Sequence, residues 1–162
     1  MTRLRDWIPA ILVAAMISSF STHYFSDQQT SRIIVPVLHW LLPWADARLL
    51  HLLHLGIRKL AHVTEFAIFS IAVFHGIRAH RYGWRWSWAL TTLLIAGAYA
   101  GVDEWHQSFV AFRHSSPRDV ASDTFGALLA QVMVWVYSIW KGASAERSPT
   151  LAARGIVTGP KN

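Results

Sequence analysis

The chain contains no cysteine and few acidic residues. Its 162 residues include only nine Asp and Glu, against 15 Lys and Arg. The absence of cysteine excludes disulfide bonds, thiolate catalysis and cysteine-ligated metals. The formal net charge of +6 would suit a nucleic-acid partner if the basic residues formed one stripe. They lie instead between apolar runs, so we expect no nucleic-acid binding.

Polar residues are scarce over four long stretches. Hydrophobic residues make up 53% of the chain, and its mean hydropathy is +0.29. A helix needs roughly 20 apolar residues to cross a bilayer. Four segments approach this length: 7–25, 60–77, 86–105 and 120–140. The pattern predicts an all-α fold, a polytopic membrane helical bundle with about four transmembrane helices.

The charges flanking these segments predict an orientation. Arg3 and Arg5 precede the first segment as in a signal peptide, but no A-x-A cleavage site follows, so we expect an uncleaved helix. The positive-inside rule then favours both termini on the inner side. In this orientation the inner side holds more basic residues than the outer side: Arg3, Arg5, Arg78, Arg81, Arg85, Lys141, Arg147, Arg154 and Lys161.

Two further segments are not predicted to span. Segment 33–44 is too short and is interrupted by Pro36 and Pro43, so we expect an interfacial or re-entrant segment on the outer side. Residues 142–162 are small and polar, which predicts a disordered cytoplasmic tail after a transmembrane domain of residues 1–141.

Acidic residues occur where a membrane helix should exclude them. Five of the nine lie within or against the predicted spans: Glu65, Asp103, Glu104, Asp119 and Asp123. An acid at the bilayer centre costs about 2.5–3.5 kcal/mol. We therefore expect these acids to be paired, close to an interface, or facing a wet cavity.

Helical periodicity places these acids beside other polar groups. The second predicted helix carries one polar stripe, with Lys59 on its flank: His51, His54, Arg58, His62 and Glu65. On the third helix Asp103, His106 and Gln107 share a face, whereas Glu104 is expected to turn away toward the interface.

The fourth helix is predicted to begin with Ser116 as its N-cap and Pro117 at its first position. Asp119, Ser122 and Asp123 share one face of this helix. Ser18, Ser19 and Ser21 end the first helix at the same side of the membrane. The sequence therefore predicts one polar site at the outer ends of the helices.

These segments resemble the VanZ-like family of bacterial membrane proteins over residues 7–140. Lys59, His62 and Glu65 match its K-x-x-H-x-x-E motif. A second group matches D-E-x-x-Q-x-F-x-x-x-R, with His106 at a position that is often His: Asp103, Glu104, Gln107, Phe109 and Arg113. Asp119, Asp123 and Gly126 match the closing D-x-x-x-[DN]-x-x-G. Ala111-Phe112 departs from the family, which usually has Pro-Gly there.

The resemblance implies a multi-pass protein of the bacterial inner membrane with a role in the cell envelope. The family's namesake is associated with low-level resistance to the glycopeptide antibiotic teicoplanin. The leading hypothesis is an enzyme acting at the outer leaflet on an anionic envelope lipid or a lipid-linked cell-wall intermediate, by phosphoryl transfer or hydrolysis.

Each candidate residue has an expected role in this hypothesis. Lys59 and Arg113 hold the phosphate. His106, oriented by Asp103, shares acid–base catalysis with His62 and Glu65. The remaining substrate-binding candidates are Gln107, Glu104, Asp119 and Asp123. Membrane lipids are the expected partners, and no cofactor is expected.

Several alternatives stay open. Asp119 also fits a helix cap, and the Lys59 group also fits ion pairs that hold helices together. The same pocket also suits a non-catalytic binder of lipid headgroups or glycopeptides. A proton-coupled lipid transporter would use Glu65, Asp103 and Asp123. A metal site on paired His and carboxylates is a further alternative, although Lys59 and Arg113 would repel a cation.

Overall fold

The computed structural model describes residues 3–110 and 116–155, without the side chains of His23 and of residues 142–155. This part of the chain is helical and contains no strand. A 3-10 turn, His23–Phe25, follows the first of five α-helices: α1 Leu4–Phe20, α2 Asp27–Leu41, α3 Ala47–Arg78, α4 Trp86–Gln107 and α5 Pro117–Gly155. The predicted all-α fold is confirmed.

Helix α3 is the centre of the bundle, because α1, α2, α4 and α5 all pack against it. Its 32 residues include both the amphipathic lead-in and the second predicted span. Asp46 caps its start and accepts a hydrogen bond from the Leu49 N–H at 2.8 Å. A side-chain cap of this kind satisfies one of the donors that a helix start leaves without a partner.

Two helices in the described ranges are long and apolar enough to cross a membrane: α3, and α5 from Pro117 to Lys141. Helix α1 has 17 residues and ends before the predicted boundary at residue 25. There the Ser21 N–H bonds back to the carbonyl oxygen of Ile17, and the chain turns. Helix α4 has 22 residues and carries Asp103 and Glu104 close to its end.

The segment predicted as interfacial or re-entrant belongs to α2. This helix begins at Asp27, before the predicted start at residue 33, and continues through Pro36 to Leu41. None of its residues is fully buried, since it lies on the outside of α3. Trp40 and Trp44 are exposed.

The fourth predicted span lies in α5. The Ser116 side chain accepts a hydrogen bond from the Arg118 N–H at 3.2 Å, so Ser116 is the predicted N-cap, with Pro117 following. The backbone of α5 is helical to Gly155, beyond the start of the predicted tail at residue 142. The domain boundary at residue 141 stays a prediction.

The core lies where small residues let the helices approach closely. Phe66 and Phe69 of α3 pack there with Ile17 of α1, and with Ala96, Ala100 and Ala127. Deeper in the α3–α5 contact, Gln131 donates to the Ser70 hydroxyl at 2.9 Å. The Ser70 hydroxyl in turn donates to the Ala127 carbonyl at 3.1 Å.

Gly126 sets the distance between α3 and α5. A Cβ at this position would overlap the carbonyl oxygen of Val63 and lie 3.1 Å from its Cα. The obstacle is helix backbone and not the end of a flexible side chain. No residue larger than glycine therefore fits without moving one helix.

We predict that Gly126→Ala destabilises the protein by about 1–3 kcal/mol, the usual cost of overpacking a core. The measurement is the free energy of unfolding in detergent. Gly101→Ala is the matched control, since a Cβ there meets nothing within 4 Å and alanine favours helix. Equal stability of the two variants would contradict the close approach.

Candidate functional site

The predicted polar residues converge at one end of the bundle. We call this the site end: α1 and α4 finish there and α5 begins there. An open cavity of about 560 Å³, the polar pocket, lies at this end. It is lined by residues of α2, α3, α4 and α5: Asp27, His51, Leu55, Arg58, Lys59, His62, Glu104, Gln107, Asp119, Ser122 and Asp123.

Arg58 is fixed at the edge of the polar pocket by the chain that precedes α3. Its Nη1 donates to the Phe25 carbonyl at 2.8 Å and to the Thr30 hydroxyl at 2.7 Å. Its Nε lies 3.9 Å from Asp27 Oδ1. Nη2 makes no hydrogen bond to the residues that the structure describes. The guanidinium is therefore held in place with one nitrogen still available to a ligand.

Lys59 and Asp119 join α3 to α5 across the polar pocket. Lys59 Nζ lies 2.9 Å from Asp119 Oδ1, and the two side chains are 51% and 44% exposed. An exposed pair of this kind contributes only about 0–1 kcal/mol. An anionic ligand can therefore replace Asp119 at Lys59 at little cost.

His62 and Glu65 form a second polar pair on α3. His62 Nδ1 lies 3.5 Å from Glu65 Oε2, and both side chains are largely buried. His62 lines the polar pocket and also a neighbouring cavity of about 210 Å³ between α2 and α3. We call this second cavity the apolar groove, because Phe20, Phe25, Ile34 and Ile57 line most of it; Arg58, His62 and Glu65 lie on its polar side.

Asp103 is buried behind the polar pocket, at 3% exposure. Its Oδ2 accepts hydrogen bonds from the Ser21 hydroxyl at 2.8 Å and from Gln107 Nε2 at 2.7 Å. Gln107 also donates to Ser21 at 3.1 Å. Asp103 thus ties α1 to α4 and orients Gln107, which does line the polar pocket.

Glu104 differs from its predicted position. It is buried at 7% exposure and its Oε1 accepts a hydrogen bond from the Ser116 N–H at the start of α5. The expectation that it turns toward the interface was wrong, because α5 packs over that face of α4.

Asp123 lies one turn deeper in α5 than Asp119. It lines the polar pocket and is 4% exposed. No described residue donates a hydrogen bond to its carboxylate. A buried carboxylate normally has hydrogen-bond donors or a counter-charge, and Asp123 has neither from the described residues, so it can accept a donor from a ligand.

His106 does not join this arrangement. Its side chain is exposed, and it does not form the predicted contact with Asp103. Asp103 turns toward α1, whereas His106 stays exposed at the last turn of α4. Arg113, the predicted phosphate ligand, lies outside the described residues.

Four residues of this site were not among the predicted catalytic or substrate-binding residues: Arg58, His51, Ser122 and Ser21. Arg58 and His51 lie on the same predicted stripe as His62, which was the signal for including them. Ser122 likewise shares the predicted face of Asp123. Ser21 had no such signal, because its contact with Asp103 spans 82 positions of the chain.

The described side chains do not bring three His, Asp or Glu residues together in a metal-binding arrangement. The formal charges that line the polar pocket are instead mixed. Arg58 and Lys59 are cationic, and Asp27, Glu104, Asp119 and Asp123 are acidic. This combination suits a ligand that carries its own charges.

The family model described as VanZ/LLP1 matches residues 7–140. The chain belongs to the VanZ/LLP1 family. The match includes part or all of every helix of the bundle and all described residues that line the polar pocket, and it confirms the resemblance inferred from the three motifs. Family membership and the two apolar helices together identify a membrane protein. No curated protein and no solved structure matches the chain significantly.

We predict that Ser21→Ala lowers the free energy of unfolding by about 1–3 kcal/mol, since it removes a donor from a buried carboxylate. Ser19→Ala is the control, because Ser19 is exposed and its hydroxyl donates to the Ala15 carbonyl of its own helix. It should change stability by less than about 0.5 kcal/mol. A Ser21 variant as stable as the Ser19 variant would show that the Asp103 cluster is not a structural support.

Proposed function

We propose that this VanZ/LLP1 protein crosses the bacterial inner membrane four times, with both termini inside and the polar pocket facing outward. Supporting this, α1 and α4 present large exposed apolar residues, among them Ile11, Leu12, Leu90 and Leu94. Side chains of this kind suit contact with lipid more than with water.

Tryptophan also supports two membrane interfaces. Exposed Trp residues lie at both ends of the bundle, Trp40, Trp44 and Trp105 at the site end and Trp86 and Trp140 at the opposite end. Aromatic belts at both interfaces are typical of membrane proteins. The opposite end also carries Arg3 and Arg5 at the start of α1, Arg78 at the end of α3 and Arg85 before α4, and the positive-inside rule assigns such residues to the cytoplasm.

The proposed function is to bind a phosphate-bearing envelope lipid, or a lipid-linked cell-wall intermediate, at the outer leaflet. One observation carries this proposal: Arg58 lines both the polar pocket and the apolar groove. A ligand that fills both cavities must be an amphiphile with a charged group beside the guanidinium. Arginine binds phosphate oxygens in bidentate geometry.

His62, with Glu65, is the proposed acid–base group for chemistry on this ligand. It lines both cavities, and its Nδ1 lies 3.5 Å from Glu65 Oε2, a carboxylate that can orient the imidazole. In a hydrolysis, His62 takes one proton from a water whose oxygen forms a bond to phosphorus. The bond from phosphorus to the leaving oxygen breaks, and protonated His62 returns the proton to that oxygen.

A non-catalytic binder of the same lipids is the second candidate. It is favoured by the exposure of His106 and by the use of Asp103 in helix-to-helix hydrogen bonds. One of the two predicted acid–base pairs is therefore not assembled. The two candidates share a binding site and differ in whether His62 is required.

We expect a strain that lacks the protein to recover its envelope lipid profile with wild-type protein, but not with Arg58→Gln. If the protein is an enzyme, His62→Gln lowers turnover by about a hundredfold or more and also fails to restore the profile. Lipid mass spectrometry of the complemented strains is the measurement.

His106→Gln is the matched control and should restore the wild-type profile, since His106 is exposed at the end of α4. If His62→Gln restores the lipid profile and Arg58→Gln does not, the protein is a non-catalytic lipid binder. Full recovery with both variants would refute the proposed site.

A further inference from the structure

The charges that line the polar pocket are divided between its walls. The two cations, Arg58 and Lys59, both belong to α3. The opposite wall is built by α4 and α5 and carries Glu104, Asp119 and Asp123. Asp27, the remaining acid, lies on α2 beside Arg58. A headgroup between these walls therefore meets positive charge on one side and negative charge on the other.

The carboxylates of the acidic wall differ in the partners that the described residues give them. Lys59 contacts Asp119 at the exposed rim. Asp123 is deeper, 4% exposed, and receives no hydrogen bond from the part of the chain that the structure describes. A buried ionised carboxylate carries a large desolvation cost that a cation or strong donors must offset.

An ammonium group fits the acidic wall better than a metal ion. Within the described ranges no three carboxylate or histidine side chains converge as metal ligands. A primary ammonium is a compact charge with three donors and needs only nearby acceptors. Glu104, Asp123 and the hydroxyl oxygen of Ser122 supply such acceptors along the same wall.

The apolar groove indicates that the ammonium group belongs to a lipid and not to a soluble amine. Phe20, Phe25, Ile34 and Ile57 can hold an acyl chain, and Arg58 stands where the groove meets the polar pocket. A free amine or a soluble amino acid would leave this groove unfilled. A lipid fills it, with the phosphate at Arg58 and the rest of the headgroup reaching toward α5.

We propose that the polar pocket holds a zwitterionic lipid headgroup, with Arg58 and Lys59 binding the phosphate and Glu104 and Asp123 binding a primary ammonium group. This inference rests on the proposed function, binding of a phosphate-bearing lipid, and adds the class of headgroup. Phosphatidylethanolamine is the simplest probe with both charges. Phosphatidylglycerol has the phosphate and acyl chains but no ammonium.

The test is native mass spectrometry of the delipidated full-length protein in detergent, titrated with each of these two lipids. Wild-type protein should bind phosphatidylethanolamine about tenfold more tightly than phosphatidylglycerol, the effect of one charge-assisted contact. Asp123→Asn should reduce this preference to near one. Arg58→Gln should weaken the binding of both lipids to a similar extent.

Asp46→Asn is the matched control. It also removes one carboxylate at the site end, but Asp46 caps α3 outside the pocket and asparagine caps equally well. Its lipid preference should equal that of the wild type. Glu104→Gln gives an independent test of the acidic wall if Asp123→Asn fails to fold.

The outcomes separate the two proposals. If neither lipid binds to the wild-type protein, the proposed function fails. If both lipids bind equally and Asp123→Asn changes nothing, only the ammonium inference fails. If the wild-type protein prefers phosphatidylethanolamine but Asp123→Asn and Glu104→Gln both keep that preference, the ammonium is bound elsewhere and the inference is also overturned.

Discussion

The contact between α3 and α5 is the constraint on which the site depends. Gly126 lies directly against the backbone of Val63, so the two helices approach as closely as helix backbones can. On one side of this contact, Lys59 meets Asp119 at 2.9 Å. On the other side, the Gln131 side chain donates a hydrogen bond to the Ser70 hydroxyl. The polar pocket is the space left beside this contact, where the helices diverge toward the site end.

Buried carboxylates form hydrogen bonds that join the helices of the bundle. Asp103 and Glu104 are neighbours in α4, yet each accepts hydrogen bonds from a different element. Asp103 is bonded by Ser21 of α1 and Glu104 by the first turn of α5. These contacts convert costly buried groups into ties between helices. Asp123 has no comparable tie among the described residues, so it is available to a ligand.

The fold was largely predictable because helical periodicity and caps are local signals. The stripe through Arg58, His62 and Glu65 and the cap at Ser116 were both read correctly from spacing and residue type. Length and apolar composition alone, however, support two spans and not four. The end of α1 depends on hydrogen bonds near Ser21 that no hydropathy pattern reveals.

The site was predictable as a region but not as a set of contacts. Spacing placed Asp103 and His106 on one face, but a face of about 100° or more does not determine which of its residues is buried. Packing decides this: α1 covers Asp103, α5 covers Glu104, and His106 remains exposed. Such choices depend on residues that are distant in sequence, and a single chain carries no local signal for them.

The proposal tested most directly is that the polar pocket opens to the outer face of the membrane. Because the chain has no native cysteine, one introduced cysteine reports its own position. Ser122→Cys, in the pocket, should react with a membrane-impermeant maleimide in right-side-out vesicles without permeabilisation. Leu128→Cys, on an exposed apolar part of the same helix, should not react. Labelling of Ser122→Cys only after permeabilisation would contradict the account.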